Sequence, residues 1–440
     1  MSILLKQWNA GMSSGINWSS YWSTRWYGIE IDESNSSPDV TRIQGADATG
    51  YHATLPVHAL LKACLLNDDG TVNYYLDPTD WTKKEDGVTA SNLDGTDGQV
   101  MIEIPTYYRK VDNPSAKVHQ IKICEGAATG FTKVPKFYYS AYPGAVQRST
   151  NKLASVVNMT ADYRGGNNNA DWDEENNTLL GRRATVLSLT SFRSYARARG
   201  AVNWNVETWE HAMLVYELMM IEYATRRVQK DVDATLTVEG YKKGGIGSGV
   251  AIVEAEGNTF NGGYPFVPCG ASNSLASGSG EVAYTVVGWP GGDIDVNVPR
   301  YRGIEMPFSD IYNMTDGVIA DNKSTPGVSK LYICKDPNNF VENNITNYTL
   351  VGEIPRTNGT TQVMMWSEDV IFPLTLTSVT DNYWANWYFW YSTVEDYSMV
   401  LRGGKAPASS RNSPIYIYMY QDGTHTSASL GARLIYLTEW

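Results

Sequence analysis

Apolar positions along this chain recur with two different periods. Between Trp209 and Ala224 they fall at steps of three and four, so that Trp209, Met213, Tyr216, Met220 and Ala224 share one helical face. The pattern predicts a helix over 207–230. Asn205 suits its cap, Glu207 its first turn, and Arg226, Arg227 and Lys230 the negative end of its dipole. A shorter helix is expected over 189–199, with Thr190 or Ser191 as cap. Methionines and rings at this spacing point to core packing and not to a cofactor box. Elsewhere the apolar runs are short and bounded by turn residues. Asn67-Asp-Asp-Gly70 reads as a hairpin turn between 59–66 and 71–76. Further strands are expected over 101–109, 117–124 and 134–142, the last stopped by Pro143-Gly144. Alternation is strict at 415–420. Ile415, Ile417 and Met419 are expected to face the core, and Tyr416, Tyr418 and Tyr420 the other side.

These elements predict an α+β chain, two central helices embedded in many short antiparallel strands with long loops. Residues 1–40 form a tryptophan-rich segment. Trp8, Trp18, Trp22 and Trp26, with Tyr21 and Tyr27, are too many rings to stay solvated and have too little chain around them to be buried alone. The segment is expected to pack on another chain or on the following domain, in an attachment or oligomerisation role. Residues 41–125 read as a small β-rich region. Residues 126–440 read as the main domain, with a Gly-, Ser-, Thr- and Asn-rich loop insertion around 235–300.

Composition narrows the function. Charged residues make up 19% of the 440 and aromatics 12%, enough ring area for a large core and against wholesale disorder. A net charge of −12 argues against nucleic-acid or anionic-membrane binding. The longest apolar window, around 213–221, is interrupted by Glu217 and followed by Glu222, so no membrane insertion is expected. The start offers three consecutive apolar residues before Lys6, so no secretory signal is expected either. Cys64, Cys124, Cys269 and Cys334 lie far apart with no CxxC pair, which predicts buried free thiols.

Candidate chemistry is sparse. Histidine occurs at 52, 58, 119, 211 and 425, without an HExxH pair. The glycine loop at 243–250 lacks GxGxxG spacing and a Walker lysine. Asp171, Asp173, Glu174 and Glu175 beside Gly165-Gly-Asn-Asn-Asn169 supply oxygens that suit calcium, but not in EF-hand order, and a solvated loop is expected. No metal or cofactor is assigned. The binding signal is clearer. From Tyr383 to Tyr391, seven of nine positions carry rings. The tyrosine row at 416–420 and the polar loops at 408–413 and 423–429 complete a paratope-like composition. The competing reading puts these rings in a second core layer or a subunit interface.

Leu401-Arg-Gly-Gly404, the Ser/Asn-rich loop after it, the tyrosine strand and Gly431-Ala-Arg-Leu434 resemble the end of C-type-lectin-fold variable proteins. That family includes proteins diversified by retroelements and shares its fold with formylglycine-generating enzymes. Ile104-Pro-Thr-Tyr-Tyr-Arg-Lys110 and 134–142 resemble its early strands, and the segment from Tyr301 to Tyr312 its middle. Trp8-Asn-Ala-Gly and Trp18-Ser-Ser-Tyr-Trp22 resemble the start of tail proteins from phages and prophages of gut Bacteroides. The resemblance covers most of 100–440. It implies a C-type-lectin-like domain at the tip of a phage tail fibre, made in the bacterial cytoplasm and carried on the virion. It further implies a non-enzymatic adhesin that grips a host cell-surface protein or glycan without calcium. Carried over, the display positions are Tyr383, Trp384, Asn386, Trp387, Tyr388, Trp390, Arg411, Asn412, Tyr416, Tyr418, Tyr420 and His425. Gly403, Gly404, Gly431 and Arg433 are scaffold. Other tail proteins are the expected partners of the N-terminal segment, and a homotrimer the expected assembly. The enzymatic relatives hold copper with a cysteine pair late in the domain, whereas the last cysteine here is Cys334. Two alternatives remain: a structural tail or pilus subunit whose aromatic surface is an intersubunit contact, and an enzyme of the formylglycine-generating or a carbohydrate-cleaving type, which a buried carboxylate pair in a deep pocket would mark.

Overall fold

Period-two alternation, more than helical periodicity, shapes the chain. The structure, a computed structural model, describes residues 17–35, 37–174, 177–231, 245–246, 260–377, 388–391, 395–404, 417–419 and 421–440. Strands account for 38% and helix for 14%, which overturns the expected α+β, C-type-lectin-like class in favour of a β-rich fold. Four α-helices are described: α1 (Trp18–Trp22), α2 (Tyr51–Thr54), α3 (Leu189–Arg197) and α4 (Trp209–Tyr223). Two single-turn pieces and two helices do not make a layer of their own. Short runs rich in Val, Ile and Tyr, such as Ile294–Tyr301 and Val328–Ile333, pair into sheets instead.

Helix α4 is shorter than its pattern suggested. Thr208 caps it, its side chain accepting from the His211 N–H, and it ends at Ala224 in the left-handed region at φ 53°. Every residue from Ala212 to Ile221 is buried, so the periodic face was one side of a helix enclosed all round. Helix α3 is capped by Ser188, not by Thr190 or Ser191.

A six-stranded sheet lies at the centre, in the order Trp204–Val206, Leu434–Leu437, Phe137–Ser140, Gln99–Ile104, Lys62–Leu66, Val72–Tyr75. Its last two strands are the predicted hairpin, turned at Gly70 with φ 84°. A five-stranded sheet packs beside it, in the order Thr41–Gln44, Tyr27–Asp32, Val118–Cys124, Tyr107–Ser115, Thr132–Val134. Two of the strands expected from sequence are each divided between these sheets. Pro105 separates Gln99–Ile104 from Tyr107–Ser115, and Pro135 separates Thr132–Val134 from Phe137–Ser140. Proline has no N–H for a ladder, so each marks the corner where the chain leaves one sheet for the other.

The third large sheet has nine strands. Its path runs Thr349–Pro355, Val328–Ile333, Tyr312–Asp321, Tyr397–Arg402, Ile417–Met419, Tyr388–Tyr391, Gly359–Trp366, Ile371–Thr377, and Leu430–Gly431 pairs with Tyr312–Asp321 off that path. Within the stretch expected to be a loop insertion, Gly280–Val286 and Ile294–Tyr301 form a ribbon over a small core of Phe260, Phe266, Trp289 and Val298.

Alternation divides the main interior into two cores. Leu65, Tyr139 and Ile435 point into one, with α4 and the five-stranded sheet. Their neighbours Leu66, Tyr138 and Leu434 point into the other, with α3 residues Leu189, Phe192 and Ala196. The first core draws on residues from Tyr27 to Leu437. Among the described residues no helix is long and apolar enough to cross a membrane.

Candidate functional site

Tyr397–Arg402 runs antiparallel to both Tyr312–Asp321 and Ile417–Met419, and Ile417–Met419 lies parallel beside Tyr388–Tyr391. Ile417 and Met419 are fully buried in the first core, as alternation predicts. Tyr418 points the other way and is half-buried. Its ring stacks on that of Tyr312, centroids 5.0 Å apart and planes 26° apart, at the rim of the second core. The register sets Trp390 level with Tyr418, so two of the twelve display positions are neighbours across strands. Tyr388 stands two positions along from Trp390 on the same strand. His425 is half-buried in the turn after Ile417–Met419. The backbone carbonyls of Gly423 and Ser427 in that turn accept from the N–H groups of Leu189 and Val186. The turn is thereby fastened to the start of α3. Tyr383, Trp384, Asn386, Trp387, Arg411, Asn412, Tyr416 and Tyr420, with Ile415, lie outside the described residues.

Behind these strands is a cluster that sequence reasoning missed. Arg402 donates to both oxygens of Glu207, at 3.0 and 2.7 Å, and to the Tyr139 hydroxyl at 2.8 Å, while Tyr139 donates to Glu207. All three side chains are buried. Burial opposes the Arg402 charge, but Glu207 and Tyr139 outweigh it and hold the guanidinium pKa above its usual value. Glu207 is therefore an ion-pair partner ahead of the helix, not a first-turn residue. The signal was at hand: Arg402 sits inside Leu401-Arg-Gly-Gly404, a motif read only for its glycines.

Three of the four residues assigned to scaffold have a packing reason. Gly403 has φ 95°, and a Cβ there would come 2.7 Å from Ser309. A Cβ on Gly431 would lie 2.9 Å from the Arg183 guanidinium, which is held by Asp310 at 3.0 Å and by Asn313. Arg433 is fully buried and donates to the backbone carbonyls of Ser140, Glu305 and Met306.

Among the described residues, the other candidate groups make structural contacts, and Glu175 and most of the glycine loop at 243–250 lie outside them. Arg109 grips Glu217 through two nitrogens and Glu368 through a third. These groups border a cavity of about 70 Å³, room for a couple of waters. Burial raises the Glu217 pKa although Arg109 pulls it down. Glu217 and Glu368 thus share one guanidinium. His211 places Nδ1 2.6 Å from the Thr208 hydroxyl and sets its ring edge-on to Phe137. In the Asn/Asp loop, Arg164 clasps Asp173, and Asn169 caps the short turn Ala170–Trp172. Among the described residues no group of three or more His, Cys, Asp or Glu could hold a metal. All four cysteines are buried free thiols, and burial pushes Cys124 and Cys269 up to about 12.

At the N-terminal end the rings divide. Trp22 packs so closely on Gly126 that no side chain fits there, and Trp26 lies beneath the Lys122 ammonium. Trp18 and Tyr21, edge to face at 5.6 Å, remain 46% and 37% exposed. No protein-family model matches the chain, and no curated protein matches it.

Proposed function

We propose that the chain is a receptor-binding adhesin of a phage tail fibre, carried at the tail tip. In this reading it grips a host-surface protein or glycan through aromatic and polar side chains on its C-terminal strands and loops, without a cofactor. The placement of Tyr418 supports it best. Its two strand neighbours are buried in the first core, and its own ring turns to the opposite face, level with Trp390, where it is half covered by Tyr312 at the rim of the second core and half open. Rings on a strand offer large contact area with few rotatable bonds to freeze. The buried Arg402, Glu207 and Tyr139 cluster lies behind them, so little ordering is left for the moment of contact. Weak single contacts multiply when copies are linked, which a trimer held through the N-terminal rings would supply.

The test is attachment of the purified chain to intact bacterial cells, beside a Tyr416→Ala/Tyr418→Ala/Tyr420→Ala variant. The Tyr418 stack contributes about 1 kcal/mol beyond the area it buries, so circular dichroism must accompany the attachment assay. The variant is expected to keep its circular dichroism spectrum and lose attachment. Unchanged attachment by the folded variant overturns the assignment. No attachment by the parent across a broad strain panel favours a structural tail component.

A further inference from the structure

Beside Thr349–Pro355, at one end of the nine-stranded path, lies an open groove of about 280 Å³. That is near the lower bound of small-molecule sites. Ile333 and Val351 give it an apolar floor, and Asp336, Asn339, Asn347 and Thr349 a polar wall. The wall is prebuilt. Asp336 accepts from the Asn338 N–H at 2.9 Å and from the Asn339 amide at 2.9 Å. Asn339 in turn accepts from the Asn347 amide at 3.0 Å. The buried Tyr348 hydroxyl fixes the loop, donating to the Val341 carbonyl and accepting from its N–H. A primary amide has two N–H donors and two acceptor lone pairs, so Asn339 and Asn347 both retain capacity beyond this chain of bonds.

The charges lining the groove are already engaged. Lys335 lies 3.1 Å from Asp369 and 3.3 Å from Glu210, and Asp336 spends its oxygens on amides. Signs are mixed, so no strong field selects an ion. What remains is amide and hydroxyl groups above an apolar floor. A ring with several neutral hydroxyls and an apolar C–H face matches that arrangement. We propose that this groove binds a neutral sugar unit of a glycan. Two strands, Tyr312–Asp321 and Tyr397–Arg402, separate Val328–Ile333 from Ile417–Met419 in the sheet. The site is therefore distinct from the aromatic face and stands without it.

Saturation-transfer NMR on the full chain, with millimolar galactose, mannose and N-acetylglucosamine as probes, tests the proposal. Transfer to at least one sugar is expected. It should fall about five-fold for each hydrogen bond lost in an Asn347→Ala/Thr349→Val variant. Both positions are exposed, and circular dichroism checks that the variant stays folded. Absence of transfer to all three sugars overturns the proposal, and so does equal transfer in the folded variant.

Discussion

Arg402 carries a positive charge into a place without solvent, and Glu207 and Tyr139 are what make that tolerable. Removing one partner of a buried ion pair strands the other, which costs about 3–5 kcal/mol. Arg402→Ala and Glu207→Ala are each expected to lower unfolding free energy by about that much in urea titrations. Arg402→Met combined with Glu207→Leu should recover a large part of it, because neither charge is then left behind. A loss well under about 1 kcal/mol in the single variants would show that the cluster does not hold the strands. At this scale the sequence was half legible. Alternation around Tyr418 is visible in any reading of 415–420, since Ile and Met change places with Tyr at every step. Its stacking on Tyr312 is not, because more than a hundred residues separate two rings that only the sheet brings together. The partnership of Arg402 and Glu207 was hidden for the same reason, since nearly two hundred residues separate them and Arg402 was passed over inside a motif read for its glycines.

Elements were legible where their signals are local. The hairpin at Asn67–Gly70 and the strand Val118–Cys124 follow from turn residues and alternation. The strands that crossed Pro105 and Pro135 were drawn too long, since apolar residues continue on both sides while the ladder cannot. Helix α4 ran on past Ala224 in the sequence reading, because a left-handed alanine leaves no mark of the kind a glycine does. One joint between elements makes a measurable claim. His58 is fully buried where Tyr27–Asp32 meets α4. Its Nε2–H donates to the Leu218 carbonyl, which leaves Nδ1 to accept from the Tyr27 hydroxyl. Burial pushes its pKa down to about 4, with Glu222 pulling it up and Arg302 down. In the unfolded chain it titrates near 6.5. The stabilisation is therefore complete above pH 6.5 and lost progressively as pH falls toward 4, roughly 3 kcal/mol in all. His52 and His211 are lowered by burial too and add in the same direction. A His58→Gln variant is expected to show a flatter stability profile between pH 7 and 4.5 in urea titrations. An unchanged slope would mean that His58 takes up its proton in the folded state as readily as in the unfolded one.

Strands far apart in sequence close the central sheet. Leu434–Leu437 inserts between Trp204–Val206 and Phe137–Ser140, so the sheet is complete only when that strand has joined it. Pairings at such separation cannot be read from local pattern, which is why the strand-rich class escaped a reading that had found many of the strands. The surface poses a different question. At a net charge of −12, copies of this chain repel, and assembly needs an apolar contact to offset that. Within the described part of the N-terminal segment, a contact of the proposed trimer would fall to Trp18 and Tyr21, since Trp22 and Trp26 are already packed on the chain itself. Arg25 lies 3.8 Å over the Tyr21 ring and holds it in position. A Trp18→Ser/Tyr21→Ser variant should unfold at nearly the parental urea concentration, because exposed substitutions usually change stability by less than about 0.5 kcal/mol. Its mass by light scattering should fall from oligomer to monomer. Its cell attachment should weaken by about 10²- to 10⁴-fold, the gain that linked sites supply. Tyr21→Phe keeps the ring under Arg25 and should leave the assembly intact. A double variant with the mass of the parent would remove these rings from the contact, and a monomeric parent would remove the contact altogether.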